Sequence, residues 1–407
     1  MLPQTETPSS AQTNAAVTKF SLSRHLSAEQ KDLLNDVLSF CSAHLSDQSA
    51  LLIIEGAAGT GKSVVLNAIF NAIQTRARSK NPDDPITGTR NMLLVNHPEM
   101  LKLYRNVAAE TPTLRKADFD RPTTFINRLH KTNQKADIVL VDEAHLLLTR
   151  ADRYNHFQQQ NHLEEILALA RVVVVVFDPL QVLKFKSHWS ADLLDRFKTG
   201  RATKTLHLTT QFRVEAGPEV RHWLDQLAAG HARKRPQDPD FDLRVYDDCA
   251  QLYDDLKERN NEVGLCRLLS TYDYPYRLDG EDHFIEEGRF RLRWDRSKPD
   301  EKLPWAERPD TIDEVGSVYT IQGFDLNYAG VILGPSLSYD AQTDSIRVDP
   351  ARYEDSAAFQ GQSGIVAPQM AKERIILNAL NVLLTRGMKG LYLYAHDPAL
   401  RERLRNS

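Results

Sequence analysis

The chain has 407 residues, of which 41% are hydrophobic and 26% charged, so it is long and apolar enough for two or three packed domains. Its formal net charge of −4 excludes an overall positive field for binding polyanions, so any contact with nucleic acid must be local. Three scattered cysteines, Cys41, Cys249 and Cys266, exclude a disulfide framework and a cysteine-rich metal cluster, and they fit a reducing cytoplasm.

The beginning of the chain has the composition of an unstructured segment. Residues 1–18 contain no Lys or Arg and are rich in Pro, Ser, Thr, Gln and Ala. This composition is typical of neither a signal peptide nor an amphipathic transit peptide, and it predicts a disordered tail over residues 1–19. No apolar run approaches the length of a membrane span, so we expect no transmembrane role and a cytoplasmic location.

The most informative motif lies at residues 56–63, which form a complete G-x-x-x-x-G-K-[ST] phosphate loop. An apolar run typical of a buried strand precedes it at residues 50–54, and apolar residues at helical spacing follow it at residues 64–70. These flanks argue against a chance glycine-rich turn. Backbone N–H groups and the helix dipole would bind phosphate, with Lys62 at the β- and γ-phosphates and Ser63 on Mg²⁺. The predicted nucleotide-binding residues are Gly56, Ala57, Ala58, Gly59, Thr60, Gly61, Lys62 and Ser63.

A second acidic motif indicates hydrolysis of the nucleotide. Residues 137–141 are a short apolar strand that ends in Asp142, Glu143, Ala144 and His145. At the carboxyl end of a strand beside the phosphate loop, Asp142 would hold Mg²⁺ through water, and Glu143 would orient or deprotonate the attacking water. A kinase must exclude water, so a base here favours hydrolysis. The alternative is that both acids only cap a following helix.

Further motifs follow in order along the chain. The apolar strand at residues 172–177 leads to Gln181, whose amide would contact the γ-phosphate. Three later segments, at residues 208–213, 316–325 and 381–394, complete a series that resembles the motifs of superfamily-one helicases. Their sequences Tyr-Thr-Ile-Gln-Gly-Phe and Leu-Thr-Arg-Gly-Met-Lys-Gly resemble more closely the Schlafen group 3-like DNA/RNA helicase domain, over nearly the whole chain.

This resemblance implies an α/β fold of two tandem RecA-like P-loop NTPase lobes, each with a parallel sheet flanked by helices, and ATP in the cleft between them. It implies that Gln30 reads the adenine edge and that Gly323 and Asp325 lie at the nucleotide, with Asp325 near the ribose. Arg213 and Arg386 would meet the γ-phosphate from the second lobe. Guanidinium groups from a separate lobe would stabilise the transferring phosphoryl group and link hydrolysis to closure, although either arginine could instead form a surface ion pair. The predicted catalytic residues are Glu143, Lys62, Gln181, Arg213 and Arg386, with Ser63 and Asp142 as metal ligands.

The resemblance and the pattern of predicted strands also predict the domain organisation. The first lobe is expected over residues 20–208 and the second over residues 209–407, with insertions near 230–310 and at 334–368. Predicted strands of the first lobe lie at residues 51–54, 92–96, 138–142 and 172–177, and those of the second at 243–246, 263–267, 331–333 and 391–394.

Four basic segments are candidates for contact with nucleic-acid phosphates: Lys184 with Lys186, residues 196–204, residues 231–235 and residues 289–294. Solvated surface charge is the alternative for each of them. In the last segment Arg289, Arg291 and Arg293 alternate with apolar residues, which predicts a half-buried strand with three guanidiniums on one face. An edge strand whose charges only prevent sheet association is the competing interpretation.

The sequence thus predicts an ATP-hydrolysing, Mg²⁺-dependent helicase or translocase that acts on single-stranded DNA or RNA. An ATP-gated switch or assembly protein that uses the same fold without translocation is the alternative. A nucleotide-binding interaction module without hydrolysis fits poorly, because Glu143 and both arginines are present.

Overall fold

The computed structural model describes residues 26–47, 49–189, 191–277, 279, 281–295, 301, 303–361, 365 and 367–406, and the tail predicted at residues 1–19 lies outside them. The chain forms two compact units that divide between Phe212 and Arg213, whereas the sequence predicts the division after residue 208. Each unit contains its own sheet.

The first unit alternates strands and helices along most of its length. Its strands are β1 (Ala50–Gly56), β2 (Asn91–Val95), β3 (Phe119–Asp120), β4 (Ala136–Asp142), β5 (Ala170–Phe177) and β6 (Ala202–Leu208). Its helices are α1 (Ala28–His44), α2 (Lys62–Ala77), α3 (Pro98–Glu110), α4 (Pro122–Thr132), α5 (His162–Leu169) and α6 (Ala191–Lys198). Short 3₁₀ turns lie at Lys116–Asp118, Ala144–Leu146, Arg153–Asn155, Pro179–Gln181 and Phe185–Ser187.

The six strands of the first unit form one parallel sheet in the order β3-β2-β4-β5-β1-β6. The central strands are apolar on both faces because helices cover both, and residues 172–176 of β5 are each at most 1% exposed. Strand β1 lies between β5 and β6, so the carboxyl ends of β1, β4 and β5 reach the same edge of the sheet. The phosphate loop and the acidic motif therefore emerge at this edge on either side of β5.

The second unit has a larger sheet and a separate hairpin. Its strands are β7 (Asp242–Val245), β8 (Cys266–Ser270), β9 (Phe284–Glu287), β10 (Phe290–Trp294), β11 (Glu314–Gly316), β12 (Leu326–Leu333), β13 (Leu337–Asp340), β14 (Ser345–Val348) and β15 (Gly387–Ala395). Its helices are α7 (Pro218–Ala228), α8 (Cys249–Val263), α9 (Val318–Ile321), α10 (Pro368–Leu384) and α11 (Pro398–Asn406), with 3₁₀ turns at Trp305–Glu307, Pro309–Asp313 and Pro350–Arg352.

Seven of these strands pair in the order β7-β15-β12-β8-β11-β10-β9, and all neighbours are parallel except the hairpin β9–β10. The range near 230–310, where the sequence predicts an insertion, contributes β7, β8, β9 and β10 to this sheet. The range 334–368 contains the antiparallel hairpin β13–β14. Each unit is thus a parallel-dominated sheet flanked by helices, and the predicted fold of two RecA-like lobes is confirmed.

The strand predictions fail in places with identifiable causes. Strands β3 and β6 were not predicted, because β3 has only two residues and β6 alternates polar and apolar residues at the edge of the sheet. The strand predicted at residues 263–267 instead begins at Cys266, since α8 continues to Val263. None of the helices in the described part of the chain combines the length and apolar character needed to cross a membrane.

The structure corrects the edge-strand interpretation of the arginine-rich segment and weakens the phosphate-contact interpretation. Strand β10 lies between β9 and β11, so it is not the edge strand of its sheet, and Arg289 lies in the turn before it. Each arginine also has a carboxylate partner: Arg289 contacts Asp248 at 2.7 Å, Arg291 contacts Glu286 at 2.9 Å, and Arg293 lies 3.8 Å from Asp282. These ion pairs compete with phosphate binding.

A buried histidine makes the stability of the first unit depend on pH. The His162 ring is fully buried at the start of α5, where Nδ1 accepts the Leu148 N–H at 3.0 Å and Nε2 lies 3.0 Å from Thr123 Oγ1. Burial, reinforced by the charge of Arg121, lowers the pKa of His162 from 6.5 to about 3. The folded state therefore holds a neutral ring.

Between these two pKa values the unfolded chain binds a proton that the folded chain does not, so the free energy of unfolding decreases as the pH falls from 6.5 towards 3. We expect His162 alone to remove about 2–3 kcal/mol between pH 7 and pH 4.5. Urea denaturation of the wild type and of His162→Gln at both pH values measures this difference. Parallel losses of stability in the two proteins would contradict it.

Candidate nucleotide-binding site

The phosphate loop joins β1 to α2 and leaves the first turn of the helix uncapped. Gly61 is the residue before α2; it has a left-handed backbone with φ of 76°, and no side chain caps the helix there. A Cβ at Gly61 would lie 2.5 Å from Gln30 Nε2, so the loop has no space for a side chain at this point. The N–H groups of the first turn are thereby available to an anion.

Lys62 is held at the loop before any phosphate binds. Its side chain is buried, and Nζ donates to the carbonyl oxygens of Gly56 at 2.7 Å and Ala57 at 2.8 Å. The same ammonium group forms an ion pair with Asp178 Oδ2 at 3.1 Å. The positive charge is therefore fixed beside the helix N-terminus, where the predicted phosphate position lies.

Asp178 is a site residue that the sequence interpretation missed. It follows β5 and is 1% exposed. The Gln181 amide donates to its Oδ2 at 2.6 Å, so Asp178 links the predicted γ-phosphate residue Gln181 to Lys62. The available signal was its position: a polar residue at the carboxyl end of a buried strand next to β1.

Ser63 and Asp142 lie together as the metal prediction requires. Tyr104 from α3, which sequence reasoning also missed, donates its hydroxyl to Asp142 Oδ2 at 2.6 Å, and the Ser63 hydroxyl also hydrogen-bonds Asp142. Burial and then the charge of Glu143 raise the pKa of Asp142 to about 6, although the bonds from Tyr104 and Ser63 oppose this shift. A cation at this carboxylate would relieve its desolvation.

These groups fit Mg²⁺. It prefers oxygen ligands, and it uses one or two protein groups together with phosphate and water. Within the described residues, no group of three or more His, Cys, Asp or Glu side chains is placed to hold a metal ion. One carboxylate and one hydroxyl beside a phosphate-binding loop therefore suit Mg²⁺ brought with a nucleotide better than a permanently bound transition metal.

Glu143 has a constrained backbone and a histidine partner. Its φ is 50°, an uncommon conformation for a residue with a side chain, and it precedes the 3₁₀ turn Ala144–Leu146. Its carboxylate lies 3.0 Å from Nε2 of His145, and both side chains are buried. His145 was quoted in the motif but not assigned a role, and the structure places its ring beside the Glu143 carboxylate.

Two further segments of the first unit contact the loop. In α1 the amide of Gln30 accepts the Ser27 N–H at 3.1 Å, so its oxygen completes a capping box while Nε2 faces Gly61. After β6, Gln211 Nε2 donates to Ala58 O at 2.5 Å, and the N–H of Phe212 donates to Gly59 O at 2.9 Å. The polypeptide around residue 211 therefore covers the phosphate loop.

The second unit holds the remaining predicted residues. Arg213 forms an ion pair with Asp325, so these two predictions are neighbours. Arg386 is 1% exposed; its Nε donates to Val382 O at 2.7 Å and its Nη1 to Phe324 O at 3.1 Å. Gly323, with φ of 88°, precedes the carbonyl that Arg386 holds.

The structure thus gathers the predicted residues into two sets. The first unit brings together the loop residues 56–63, Asp142, Glu143, Gln181 and Gln30. The second unit brings together Arg213 with Asp325, and Arg386 with the Gly323 segment. The roles of these residues in binding and catalysis stay predictions.

Comparisons with known proteins agree with this arrangement. The model of the Schlafen group 3, DNA/RNA helicase domain matches residues 49–397. The uncharacterized protein YPL245W of Saccharomyces cerevisiae is 46% identical over 93% of this chain and 90% of its own length.

Solved structures show weaker likeness. The Pif1 helicase from Candida albicans is 10% identical over 94% of this chain and 97% of that chain, with a TM-score of 0.38. AMPPCP-bound DnaA from Aquifex aeolicus is 18% identical, and the match covers 46% of this chain and 50% of the DnaA chain with a TM-score of 0.25. The family match extends over most of the sequence and confirms the resemblance inferred from the motifs: the chain belongs to the Schlafen group 3 DNA/RNA helicase domain family.

Proposed function

We propose that this protein is an ATP-hydrolysing DNA/RNA helicase or translocase of superfamily one. The observation that carries the proposal is the continuous arrangement at one edge of the first sheet. There Lys62 is joined to Gln181 through Asp178, and Ser63 is joined to Glu143 and His145 through Asp142. A cation suited to phosphate, an oxygen pair suited to Mg²⁺ and a buried carboxylate thus lie at one edge of the sheet, and this arrangement supports the proposal.

In the proposed reaction the loop amides and Lys62 bind the phosphates of ATP, and Ser63 with Asp142 hold Mg²⁺. When bound, Mg²⁺ neutralises charge on the phosphate oxygens. Glu143 accepts a proton from the attacking water, and His145 keeps the carboxylate oriented. Gln181 contacts the γ-phosphate. Asp178 holds both the Gln181 amide and the Lys62 ammonium group in position.

The residues of the second unit complete the proposed cycle. Arg213 and Arg386 meet the γ-phosphate on closure, and Asp325 and Gly323 approach the nucleotide. In the first unit, Gln30 reads the adenine through its amide N–H groups. The pair Arg213–Asp325 gives a physical basis for gating, because Arg213 must exchange the carboxylate for phosphate to act.

The basic segments divide according to their partners. Lys186 pairs with Asp152 at 3.0 Å, Lys198 with Asp195 at 2.7 Å, and Lys204 with Asp36 at 3.1 Å. These ion pairs weaken the case for phosphate contact in the first unit. In the second unit, His231, Arg233 and Lys234 have exposed side chains, and we propose residues 231–235 as a contact for single-stranded nucleic acid.

The three buried free cysteines fit the cytoplasmic location that we also propose.

ATP turnover measured alone and with single-stranded DNA, single-stranded RNA, duplex DNA and tRNA tests the proposal. We expect clear Mg²⁺-dependent hydrolysis, strong stimulation by a single strand, and no turnover in Lys62→Ala, which loses the phosphate-binding charge. Hydrolysis that no nucleic acid stimulates would favour the ATP-gated switch. No hydrolysis under any condition would overturn both functions.

A further inference from the structure

A pocket lies in the first unit, at the edge of the sheet opposite the phosphate loop. Its volume is about 380 Å³, within the range of small-ligand sites. It is lined by the first residues of β2, Asn91 and Met92, and of β4, Ala136, together with the last turns of α2 and α4. Because the strands of a parallel sheet all run the same way, this edge lies about 16–23 Å from the ends of β2 and β4.

The lining of this pocket is positively charged in an otherwise acidic chain. Five basic side chains and one carboxylate line it: Arg78, Arg90, Arg115, Arg128, Lys135 and Asp118. Two of the cations are accounted for within the protein, since Arg78 binds Asp118 at 2.7 Å and Arg128 binds Asp120 at 2.9 Å. Positive charge near the ends of α2 and α4 also complements their helix dipoles.

Three cations have no such explanation. Among the described residues, the side chains of Arg90, Arg115 and Lys135 have no carboxylate partner within ion-pair distance, and Arg115 and Lys135 are exposed. The Arg90 guanidinium instead donates to Lys135 O at 2.8 Å, which fixes the guanidinium at the rim beside Lys135. Guanidinium and ammonium groups held together around a concave surface are suited to a phosphate.

The rest of the lining is apolar and contains one unusual amide. Met92, Leu129 and Ala136 supply apolar surface for a planar group. The Nδ2 of Asn91 donates to Thr89 Oγ1 at 2.9 Å and to Gln74 Oε1 at 3.3 Å. Thr89 Oγ1 itself donates to a carbonyl, so it must accept from Asn91, and this fixes the orientation of the amide.

With this orientation, Asn91 Oδ1 is a buried acceptor that receives no hydrogen bond within the described structure. A buried acceptor without a donor costs about 1–3 kcal/mol, and a ligand donor that enters the wall of the pocket would recover part of that cost. An N–H group on a planar ring supplies such a donor.

We propose that this pocket binds a nucleotide through a terminal phosphate monoester, separately from the ATP site. The phosphate meets Arg115, Lys135 and Arg90, the base packs against Met92 and Leu129, and a base N–H reaches Asn91. The same chemistry is presented by a free mononucleotide and by the 5′-phosphorylated end of a nucleic-acid strand. The proposal does not depend on hydrolysis at the phosphate loop.

Binding is tested by calorimetry in the Lys62→Ala background, which silences the phosphate loop, with uridine 5′-monophosphate, uridine and inorganic phosphate as probes. We expect the monophosphate to bind at one site per chain. Arg115→Glu with Lys135→Glu should weaken it by about tenfold or more, the scale of one or two lost charge-assisted contacts. The control, Lys80→Glu with Arg153→Glu, makes the same charge change on exposed side chains outside the pocket and should stay within about twofold, the effect of a solvent-screened charge that does not line the pocket.

A fluorescent oligonucleotide with and without a 5′-phosphate distinguishes the two sources. Tighter binding of the phosphorylated strand, lost in the Arg115/Lys135 variant, assigns the pocket to strand ends, whereas binding of the monophosphate alone assigns it to free nucleotides. Inorganic phosphate that binds as tightly as the monophosphate would overturn recognition of the base. Equal affinities in the pocket and control variants would overturn the site. Thermal melts of both variants verify folding. When the same substitutions are made in the protein that retains Lys62, ATP turnover should be unchanged.

Discussion

Arg386→Ala is expected to lower ATP turnover by about a thousandfold while ATP binding is nearly intact, because a guanidinium that stabilises the transferring phosphoryl group is worth this much. Arg386→Lys should restore little, since a point charge cannot replace the planar fork. Steady-state turnover and binding of a fluorescent ATP analogue measure the two effects.

The burial of Arg386 demands a control for folding. Its two bonds to the carbonyls of Val382 and Phe324 mean that the alanine variant also loses stability. Arg267 is a matched residue in the same unit: it is 3% exposed and donates to Arg308 O at 2.6 Å and Cys266 O at 2.7 Å. Arg267→Ala should lower the melting temperature at least as much, yet retain turnover per folded molecule within a few-fold.

If both arginine variants lose turnover only in proportion to the loss of folded protein, Arg386 is a structural residue that fastens the segment after Gly323. Both hydrogen bonds of Arg386 join it to backbone carbonyls inside the unit, so a structural role alone would account for them. A catalytic role requires at least one N–H group of Arg386 to reach a phosphate, and because the side chain is 1% exposed and binds two carbonyls, that role requires the guanidinium to become accessible.

The sequence predicts the fold where a pattern has one physical cause. The run at residues 172–176 is apolar throughout because helices cover both faces of β5, and such a run is recognisable without a structure. Strand β6 is not predicted because it lies at the edge of the sheet and its residues alternate in burial. Strand β8 was misplaced because the apolar residues near Val263 belong to the end of a helix.

The candidate site is predictable to the same degree. Residues in contiguous motifs, such as Lys62 and Glu143, are recognisable because their spacing along the chain fixes their chemistry. Tyr104 contacts Asp142, and Asp178 contacts Lys62, through the tertiary structure. No spacing of residues along the chain predicts these contacts. The pairing of Arg291 with Glu286 was likewise set by the β9–β10 register, which decides whether the alternating arginines face solvent or a carboxylate.

Glu143→Gln should keep ATP and Mg²⁺ binding but slow hydrolysis by about a hundredfold or more, the effect of removing a general base. Glutamine preserves the size of the side chain and its contact with His145, so the left-handed turn at residue 143 and the position of Asp142 should persist. Only the capacity to take a proton from water is lost. Single-turnover hydrolysis and equilibrium binding of ATP separate the two properties.

Glu165→Gln is the matched control, because Glu165 is another glutamate of the first unit with a histidine partner, His130 at 2.7 Å. It should leave hydrolysis unchanged. Lys62→Ala provides the opposite contrast, since it should weaken phosphate binding as well as turnover. Hydrolysis at the normal rate in Glu143→Gln would remove Glu143 from the chemistry and leave its buried contact with His145 as a structural pair. A hundredfold loss with unchanged ATP affinity would instead assign the base, because no change in binding or folding could then account for the lost rate.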